Sequence, residues 1–521
     1  MTGWRSRLVA GMTERGTYPR WVLASALAGM FATSFPITIL SVSLSDIAVE
    51  LDTSTDTLTW VITGPMLLSA LTIGVLGKLG DLYGHRRVFL WGFLGSTVVS
   101  AATSLAWDPA SLIALRCAAQ VIGAATQPTS MALVMLVTDR ERRVRALGWW
   151  QLVAAGAPSV GLALGGPLVD AYGWRPVFVI QAALALIAVA VAFVVLPVGH
   201  GRSDVRFDLA GSATLLLGVG SIVLVLGQVQ QWGVTNPIIL TALVVGPLAL
   251  AAFWRVEQRV DAPLVPPDFF RRADFSIPLT TFFFQGATYM GGFVLVPLVL
   301  RNVYGYAASA TAALMLLRTG VFSLSSPFGG WFGGRFGSRT AAVSGMTLLA
   351  ASMVLFVAGL RVGATVLFGS GLVAQGLGAG TARPSLAASV SNAVPDGDLG
   401  IAAALQRMTN QIGNVFGITA MAMLAEETSE ASDYETAFAV GALWGVIAIV
   451  LSSRLAPHVR GEPPAATPAA VTPTTDGATA GTSAGGEPGG GPQAEPGGAE
   501  IGDRAPEEGD VGVGRRPHHD G

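Results

Sequence analysis

The chain alternates long apolar runs with short polar stretches, a pattern that predicts helices. Each run has about twenty residues, the length that an α-helix needs to cross a bilayer core, and is bounded by charged residues, proline or glycine. The fourteen predicted spans are 21–45, 58–77, 87–106, 110–136, 146–169, 176–197, 208–228, 236–254, 276–300, 308–331, 341–360, 363–389, 401–424 and 435–453. The sequence therefore predicts an all-α polytopic membrane protein.

The composition excludes a soluble enzyme. Of 521 residues, 51% are hydrophobic and 12% are charged, whereas soluble domains carry about 25% charged residues. The single cysteine, Cys117, rules out a disulfide within the chain, and no phosphate-binding G-x-x-x-x-G-K-[ST] motif is present. We therefore expect no enzymatic activity, cofactor, metal site or nucleic-acid partner.

The basic residues predict the orientation. We count nineteen Lys and Arg residues in the loops on the N-terminal side of the membrane and three on the opposite side. Positively charged loops stay in the cytoplasm, so both termini are predicted to be cytoplasmic and the protein to lie in the cytoplasmic membrane. We expect a monomer surrounded by lipid.

The end of the chain differs in composition from the rest. Residues 1–460 have a net charge of +5, and residues 461–521, rich in Pro, Gly, Ala and Thr, have −7. Such a segment lacks the apolar surface needed to offset the entropy lost on folding. The predicted plan is a cytoplasmic segment 1–20, a six-helix bundle 21–200, two inserted helices 201–260, a second six-helix bundle 261–455 and a disordered acidic cytoplasmic tail 456–521. An inert extension and a docking or regulatory segment both remain open for the tail.

Two loops repeat one pattern of glycines followed by arginines. The first, after the second span, contains Gly77, Asp81, Gly84, Arg86 and Arg87, and the second, after the tenth span, contains Gly330, Gly334, Arg335, Gly337 and Arg339. Asp81 can accept hydrogen bonds from the amides of a neighbouring helix N-terminus, or from the arginines of its own loop. A contact that exists in only one arrangement of two halves acts as a conformational switch. The alternative is an ordinary basic turn.

These loops carry a family resemblance. The first resembles the G-x-L-x-D-x-x-G-R-K/R loop of the major facilitator superfamily, and the second is similar to the degenerate copy in that family's C-terminal half, with Gly334 at the carboxylate position. The second loop follows the first by eight spans, so two spans are inserted between six-helix halves. That arrangement resembles the fourteen-span drug:H⁺ antiporter branch. The fifth span is similar to that branch's antiporter motif at Pro158, Gly161, Gly165, Gly166 and Pro167.

The resemblance implies a function. It implies a major facilitator fold of fourteen helices, arranged as six, two inserted and six. It also implies a secondary transporter that exports amphiphilic drugs or antibiotic-like metabolites by alternating access, coupled to protons. Two alternatives stay open: a uniporter or anion-coupled exporter without proton antiport, and a membrane sensor that does not transport.

Polar residues inside the spans predict the pathway, because ionisable groups at membrane depth are costly. Arg116, Gln120 and Gln127 share one helical face with Gly123. The resemblance implies that Arg116 takes part in proton coupling. Further candidates for the proton or substrate pathway are Arg318, Arg383, Arg407 and Gln411. A structural role for each arginine is the alternative, but together they predict a cavity that accepts electronegative groups on its cargo.

A carboxylate is missing where the resemblance expects one. The branch carries an Asp in its first helix, and Pro36 occupies that position here. No Asp or Glu lies near the middle of any predicted span, and the nearest is Asp46 at the outer end of the first. Asp46 is either a substitute proton site or an exposed acid at a helix end.

Overall fold

The computed structural model describes residues 3–197, 208–260, 263–425 and 431–456, and these residues form helices, turns and loops without a strand. The helices are α1 (Gly3–Glu14), α2 (Tyr18–Glu50), α3 (Thr55–Tyr83), α4 (His85–Ala102), α5 (Pro109–Gly123), α6 (Thr126–Leu136), α7 (Arg143–Tyr172), α8 (Trp174–Val195), α9 (Leu209–Trp232), α10 (Pro237–Glu257), α11 (Pro267–Arg271), α12 (Ala273–Asn302), α13 (Ala308–Phe336), α14 (Ser338–Val362), α15 (Thr365–Asn392), α16 (Leu399–Leu424) and α17 (Ala431–Ser453). Residues 457–521, nearly all of the predicted tail, lie outside this description.

Every predicted span is helical. The fourth span is broken into α5 and α6 by a turn at residues 124–125, and the other thirteen each match one helix. Within the described residues, eight spans are long and apolar enough to cross a membrane, or nine if a bent pair in α3 counts as one. The structure confirms the predicted all-helical membrane fold and is consistent with fourteen spans.

The two repeated loops have the same backbone turn. Gly84 separates α3 from α4 with φ +91°, and Gly337 separates α13 from α14 with φ +96°. Residues with a side chain rarely adopt this left-handed region, so glycine permits the sharp turn at both places. The two loops therefore turn at matching positions of the repeated pattern.

The two halves, α2–α8 and α12–α17, meet along two seams of small residues. In the first seam α3 packs on α16, where a side chain at Gly77 would meet the carbonyl oxygen of Gly400 at 2.6 Å. In the second seam α7 packs on α13, where a side chain at Gly330 would meet the carbonyl oxygen of Val144 at 2.8 Å. Glycine thus lets the helices approach closely on both seams.

The inserted helices α9 and α10 pack against each other, and α9 contacts both halves beside the first seam. Leu215 of α9 lies 3.3 Å from the Cβ position of Gly74 in α3. On the other side, the hydroxyl of Thr419 in α16 donates a hydrogen bond to the carbonyl oxygen of Leu226 in α9. The inserted helix α9 therefore touches both helices of the first seam.

Large apolar side chains face outward on several helices. Ile187 in α8 is 64% exposed, Leu248 in α10 is 64% exposed and Val366 in α15 is 82% exposed. Leaving so much apolar surface outside a packed protein is unfavourable in water and favourable in lipid. This distribution is what a bundle surrounded by a bilayer requires.

Candidate functional site

Asp81 joins the two halves at the predicted cytoplasmic end. Its Oδ1 accepts a hydrogen bond from the backbone amide of Gly400 and its Oδ2 one from that of Ile401, both at 2.8 Å. These amides belong to the first turn of α16, where the helix has unpaired donors and a partial positive charge. Asp81 is only 7% exposed, so the contact is shielded from solvent.

The loop partner of Asp81 differs from the expected one. His85 Nε2 lies 3.3 Å from Asp81 Oδ1. Arg86 instead donates a hydrogen bond of 2.6 Å to the carbonyl oxygen of Phe193 at the end of α8, and Arg87 is exposed. The i, i+4 spacing of Asp81 and His85, on either side of Gly84, indicates this pair in the sequence.

The second loop lies symmetrically but has no acid. A side chain at Gly334 would meet the Nε of Arg145 at 3.0 Å, close to the start of α7. Arg335 and Arg339 are exposed. Position 334 therefore faces the N-terminus of α7 and the Arg145 cation, much as Asp81 faces the N-terminus of α16. Gly334 has no carboxylate with which to bind either.

A second link between the halves was not predicted. Arg143 at the start of α7 donates a hydrogen bond of 2.9 Å to Asp396 and one of 3.1 Å to Asn392, and Arg140 donates one of 3.2 Å to the carbonyl of Asn392. Asp81 and Asp396 line the same crevice at the predicted cytoplasmic end. The partners are about 250 residues apart in sequence, so no local pattern indicates the pair.

The predicted face of the fourth span lines a cavity within the N-terminal half, here called the N-half cavity. Its polar lining comes from α2, α4, α5, α6 and α8: Thr33, Ser96, Thr97, Ser100, Arg116, Gln120, Thr126, Gln127 and Gln181. Arg116 is 3% exposed, and its guanidinium lies 3.5 Å from the Ser100 hydroxyl and 5.6 Å from the centre of the Phe178 ring. No described carboxylate pairs with it.

A second cavity, here called the central cavity, lies between the halves. The N-terminal half contributes Gln127, Pro128, Met131, Trp150 and Gln151, and the C-terminal half contributes Phe282, Arg383, Ala403, Gln406, Arg407 and Asn410. Gln127 lines both cavities, which makes them neighbours. The structure thus brings Arg383 and Arg407 to a shared space beside the face that carries Arg116.

Arg318 lies outside the described cavities. It is fully buried, and it donates hydrogen bonds to the side chain of Gln375 at 2.5 Å and to the carbonyl of Tyr289 at 3.0 Å. The Tyr289 ring lies 4.0 Å from the Arg318 guanidinium and 5.2 Å from that of Arg383. Arg318 is therefore placed to support Arg383 through Tyr289 rather than to contact cargo in the central cavity.

Other predicted residues are not brought into the cavities. Gln411 is half-buried and lines neither cavity, and Asp46 belongs to α2 but its side chain lies outside the described part. The antiporter-motif residues all lie within the continuous helix α7: Pro158, Gly161, Gly165, Gly166 and Pro167. Gly161 is buried. Positions 165 and 166 have no described environment.

Glu50, at the predicted outer end of α2, makes a local contact. It accepts hydrogen bonds from Arg175 at 2.9 Å and from the Trp174 indole at 2.6 Å. The hydrogen bond from Arg175 is the main cause that holds the pKa of this carboxyl below its usual value. Glu50 thus ties α2 to α8 as a carboxylate.

Comparison with known proteins identifies the family. The family model described as Major Facilitator Superfamily matches residues 26–324 and 277–484, most of the chain. The chain belongs to the major facilitator superfamily. Membership in this family of membrane transporters confirms the predicted resemblance and the fold class.

Several similar proteins are named for export or for drug resistance. The chain is 29% identical over 406 residues to the tetracenomycin C resistance and export protein of Streptomyces glaucescens, covering 77% of this chain and 75% of the relative. It is 28% identical to the multidrug resistance protein Stp of Mycobacterium tuberculosis, covering 83% and 76%. It is also 28% identical to the cephamycin export protein CmcT of Amycolatopsis lactamdurans, covering 89% and 98%.

Solved structures share the fold. The proton:xylose symporter XylE matches with a TM-score of 0.59 at 13% identity, covering 84% of this chain and 95% of that protein. The human organic anion transporter MFSD10 matches with a TM-score of 0.57 at 16% identity, covering 83% and 99%. At these identities the likeness establishes the fold alone.

Proposed function

We propose that this protein exports amphiphilic drugs or antibiotic-like metabolites across the cytoplasmic membrane by alternating access. The observation that carries the proposal is the central cavity, which lies between the two halves and is lined by polar and aromatic side chains. It lies beside the Asp81 contact that joins the halves. The named relatives, which include export and resistance proteins for three kinds of antibiotic or drug, support the same reading.

The position of the Asp81 contact supports the switch. Asp81 binds the amide of Ile401, and Arg407 lies six residues further along the same helix, about 9 Å at 1.5 Å per residue. Releasing Asp81 would free the end of α16 that separates the central cavity from the predicted cytoplasmic side. The glycine seams allow the helices to slide without side-chain collisions.

The coupling ion has two candidates. The family resemblance implies proton antiport, which needs a group that takes up and releases a proton at membrane depth. A specific observation favours the second candidate, export without proton antiport: among the described residues, both cavities are lined by arginine and amide side chains and neither by a carboxylate.

The Asp81→Asn variant tests the proposed function. Overproduction of the unchanged protein in a drug-sensitive bacterium should lower the accumulation of at least one compound class in a panel of amphiphilic antibiotics and dyes. Asp81→Asn removes the charge that strengthens two hydrogen bonds, so we expect efflux to slow about five- to tenfold with unchanged membrane insertion.

The control is Asp139→Asn, an exposed acid of a loop at the predicted cytoplasmic end, which should leave efflux unchanged. If no compound accumulates less in cells with the unchanged protein, the exporter proposal fails. If Asp81→Asn transports as fast as the control, Asp81 is not a switch.

A further inference from the structure

We infer that the central cavity binds the ionised acid group of an organic anion, with Arg383 and Arg407 as its direct cationic partners. The inference rests on the proposed function and deepens it, because it names the chemical class of the cargo. It concerns binding at a defined place, so it can be tested apart from transport.

Arg407 has no partner of its own in the described structure. Its side chain lines the central cavity and makes neither a hydrogen bond nor an ion pair with any described residue. A guanidinium presents five N–H donors in a rigid plane, and leaving these without partners at membrane depth is unfavourable. The cavity therefore contains an available cation.

Arg383 is fixed in position but is not neutralised. It is 8% exposed, and its Nε donates a hydrogen bond of 3.1 Å to Gln285 and its Nη2 one of 3.5 Å to Asn410. Both partners are uncharged amides. Nη1 has no hydrogen-bond partner among the described residues, so one nitrogen of the guanidinium remains available.

Neighbouring cations raise the positive potential of the central cavity. Arg407 lines the same cavity as Arg383, and the Arg318 guanidinium contacts the same Tyr289 ring, so the charges of both repel that of Arg383. The Tyr289 and Phe322 rings, 5.2 Å and 5.1 Å from the Arg383 guanidinium, offer cation–π attraction but no net charge. Several cations without a counter-ion in a low-dielectric site are costly, and an incoming anion would relieve that cost.

The cavity also offers what the remainder of such a cargo needs. Trp150, Phe282 and Met131 form apolar walls, and the amides of Gln406 and Gln127 add hydrogen-bonding groups. Arginine matches a carboxylate through two parallel hydrogen bonds, which fixes both position and orientation. The space left in this arrangement of the halves is about 20 Å³, so the apolar walls can receive an aromatic or polycyclic remainder only once the halves separate, whereas a cationic amphiphile would be repelled.

The test uses three probes with one ring system: pyrenebutyrate, pyrenebutanol and pyrenebutyltrimethylammonium. Their binding to the purified full-length protein in detergent is followed by fluorescence anisotropy at constant ionic strength. We expect the anion to bind at least tenfold more tightly than the cation, with the alcohol between them. Arg407→Gln should weaken binding of the anion about tenfold and leave the alcohol unchanged.

Two further variants separate charge from folding. Arg407→Lys keeps the charge but loses the two parallel N–H donors of the guanidinium, so it should recover part of the anion affinity. Arg301→Gln, at the exposed end of α12, should have no effect. Equal affinity for the three probes, or an equal loss of all three in Arg407→Gln, overturns the inference.

The same probes distinguish this inference from the proposed function. If the anion binds through Arg407 but proteoliposomes containing the protein do not move it, the export proposal fails and the anion site stands. If the cation or the alcohol is exported and the anion is not, the export proposal stands and the anion site is wrong.

Discussion

At the scale of single residues, Gly334 predicts how the second loop would respond to a carboxylate. A side chain there meets the Nε of Arg145 at 3.0 Å, and Arg145 is flexible enough to move aside and pair with it. Gly334→Asp should therefore add a further link between the halves, at the second loop. An exposed ion pair contributes up to about 1 kcal/mol, so we expect transport to slow about two- to fivefold.

The matched variant is Gly334→Asn, which has the same shape without the charge. Efflux from cells measured at equal protein level should fall less in the Asn variant than in the Asp variant. Equal slowing in both would mean that the effect comes from the volume of the side chain, and the charge argument would then be wrong.

The sequence predicts which face of a helix carries the polar residues, but not which of two neighbouring residues on that face lines a cavity. Arg116, Gln120 and Gln127 were placed on one face by spacing, and all three line the N-half cavity. On α16, the i+4 spacing from Arg407 predicts Gln411 on the cavity side, but Asn410 at i+3 lines the central cavity instead. Both spacings lie near the same side of a helix, and only the packing of neighbouring helices decides between them.

At the scale of elements, the close packing of the inserted helices predicts a sensitive glycine. A side chain at Gly218 in α9 would meet Leu250 of α10 at its Cγ, 2.8 Å away, and at its backbone nitrogen, 3.2 Å away. Gly218→Val should force the two helices apart and lower stability by about 1–3 kcal/mol, as overpacking does elsewhere. Thermal unfolding in detergent, followed by size-exclusion chromatography, measures the loss.

Gly227 provides the control on the same helix, because nothing lies within 4 Å of its Cβ position. Gly227→Val should change stability by no more than about 0.5 kcal/mol. A stable Gly218→Val variant would show that α9 and α10 can separate at no cost, contrary to their packing.

The elements themselves were predictable because the apolar runs are long, yet apolarity alone identifies fewer spans. The helices α15 and α16 are not among the eight that meet the apolar criterion in the described chain. They carry Arg383, Arg407 and Asn410, whose side chains line the central cavity instead of facing lipid. Helices that build a polar site have a lower mean hydropathy for that reason. The charged, proline and glycine residues that bound the runs, together with the loop repeat, identify these helices as spans.

At the scale of the whole molecule, the distribution of charge bears on how transport is driven. The branch that this chain resembles has an Asp in its first helix, and Pro36 stands there instead. An organic anion leaving a cell moves toward the positive side of the membrane. Each elementary charge that crosses gains about 2.3 kcal/mol per 100 mV, a concentration ratio of about fifty, so export of an anion does not need a proton in return.

The membrane potential therefore separates the two coupling candidates. In proteoliposomes that contain pyranine, pyrenebutyrate export should accelerate when a potassium gradient with valinomycin makes the interior negative. Without antiport, a pH gradient at zero potential should leave the rate above that of protein-free liposomes unchanged. Pyranine should report no substrate-dependent proton flux beyond that of protein-free liposomes, through which the neutral acid itself carries a proton, because neither described cavity is lined by a carboxylate to carry one. Arg116→Gln should then leave the response to pH unaltered. Proton flux in step with export would instead establish antiport and direct attention to Asp46.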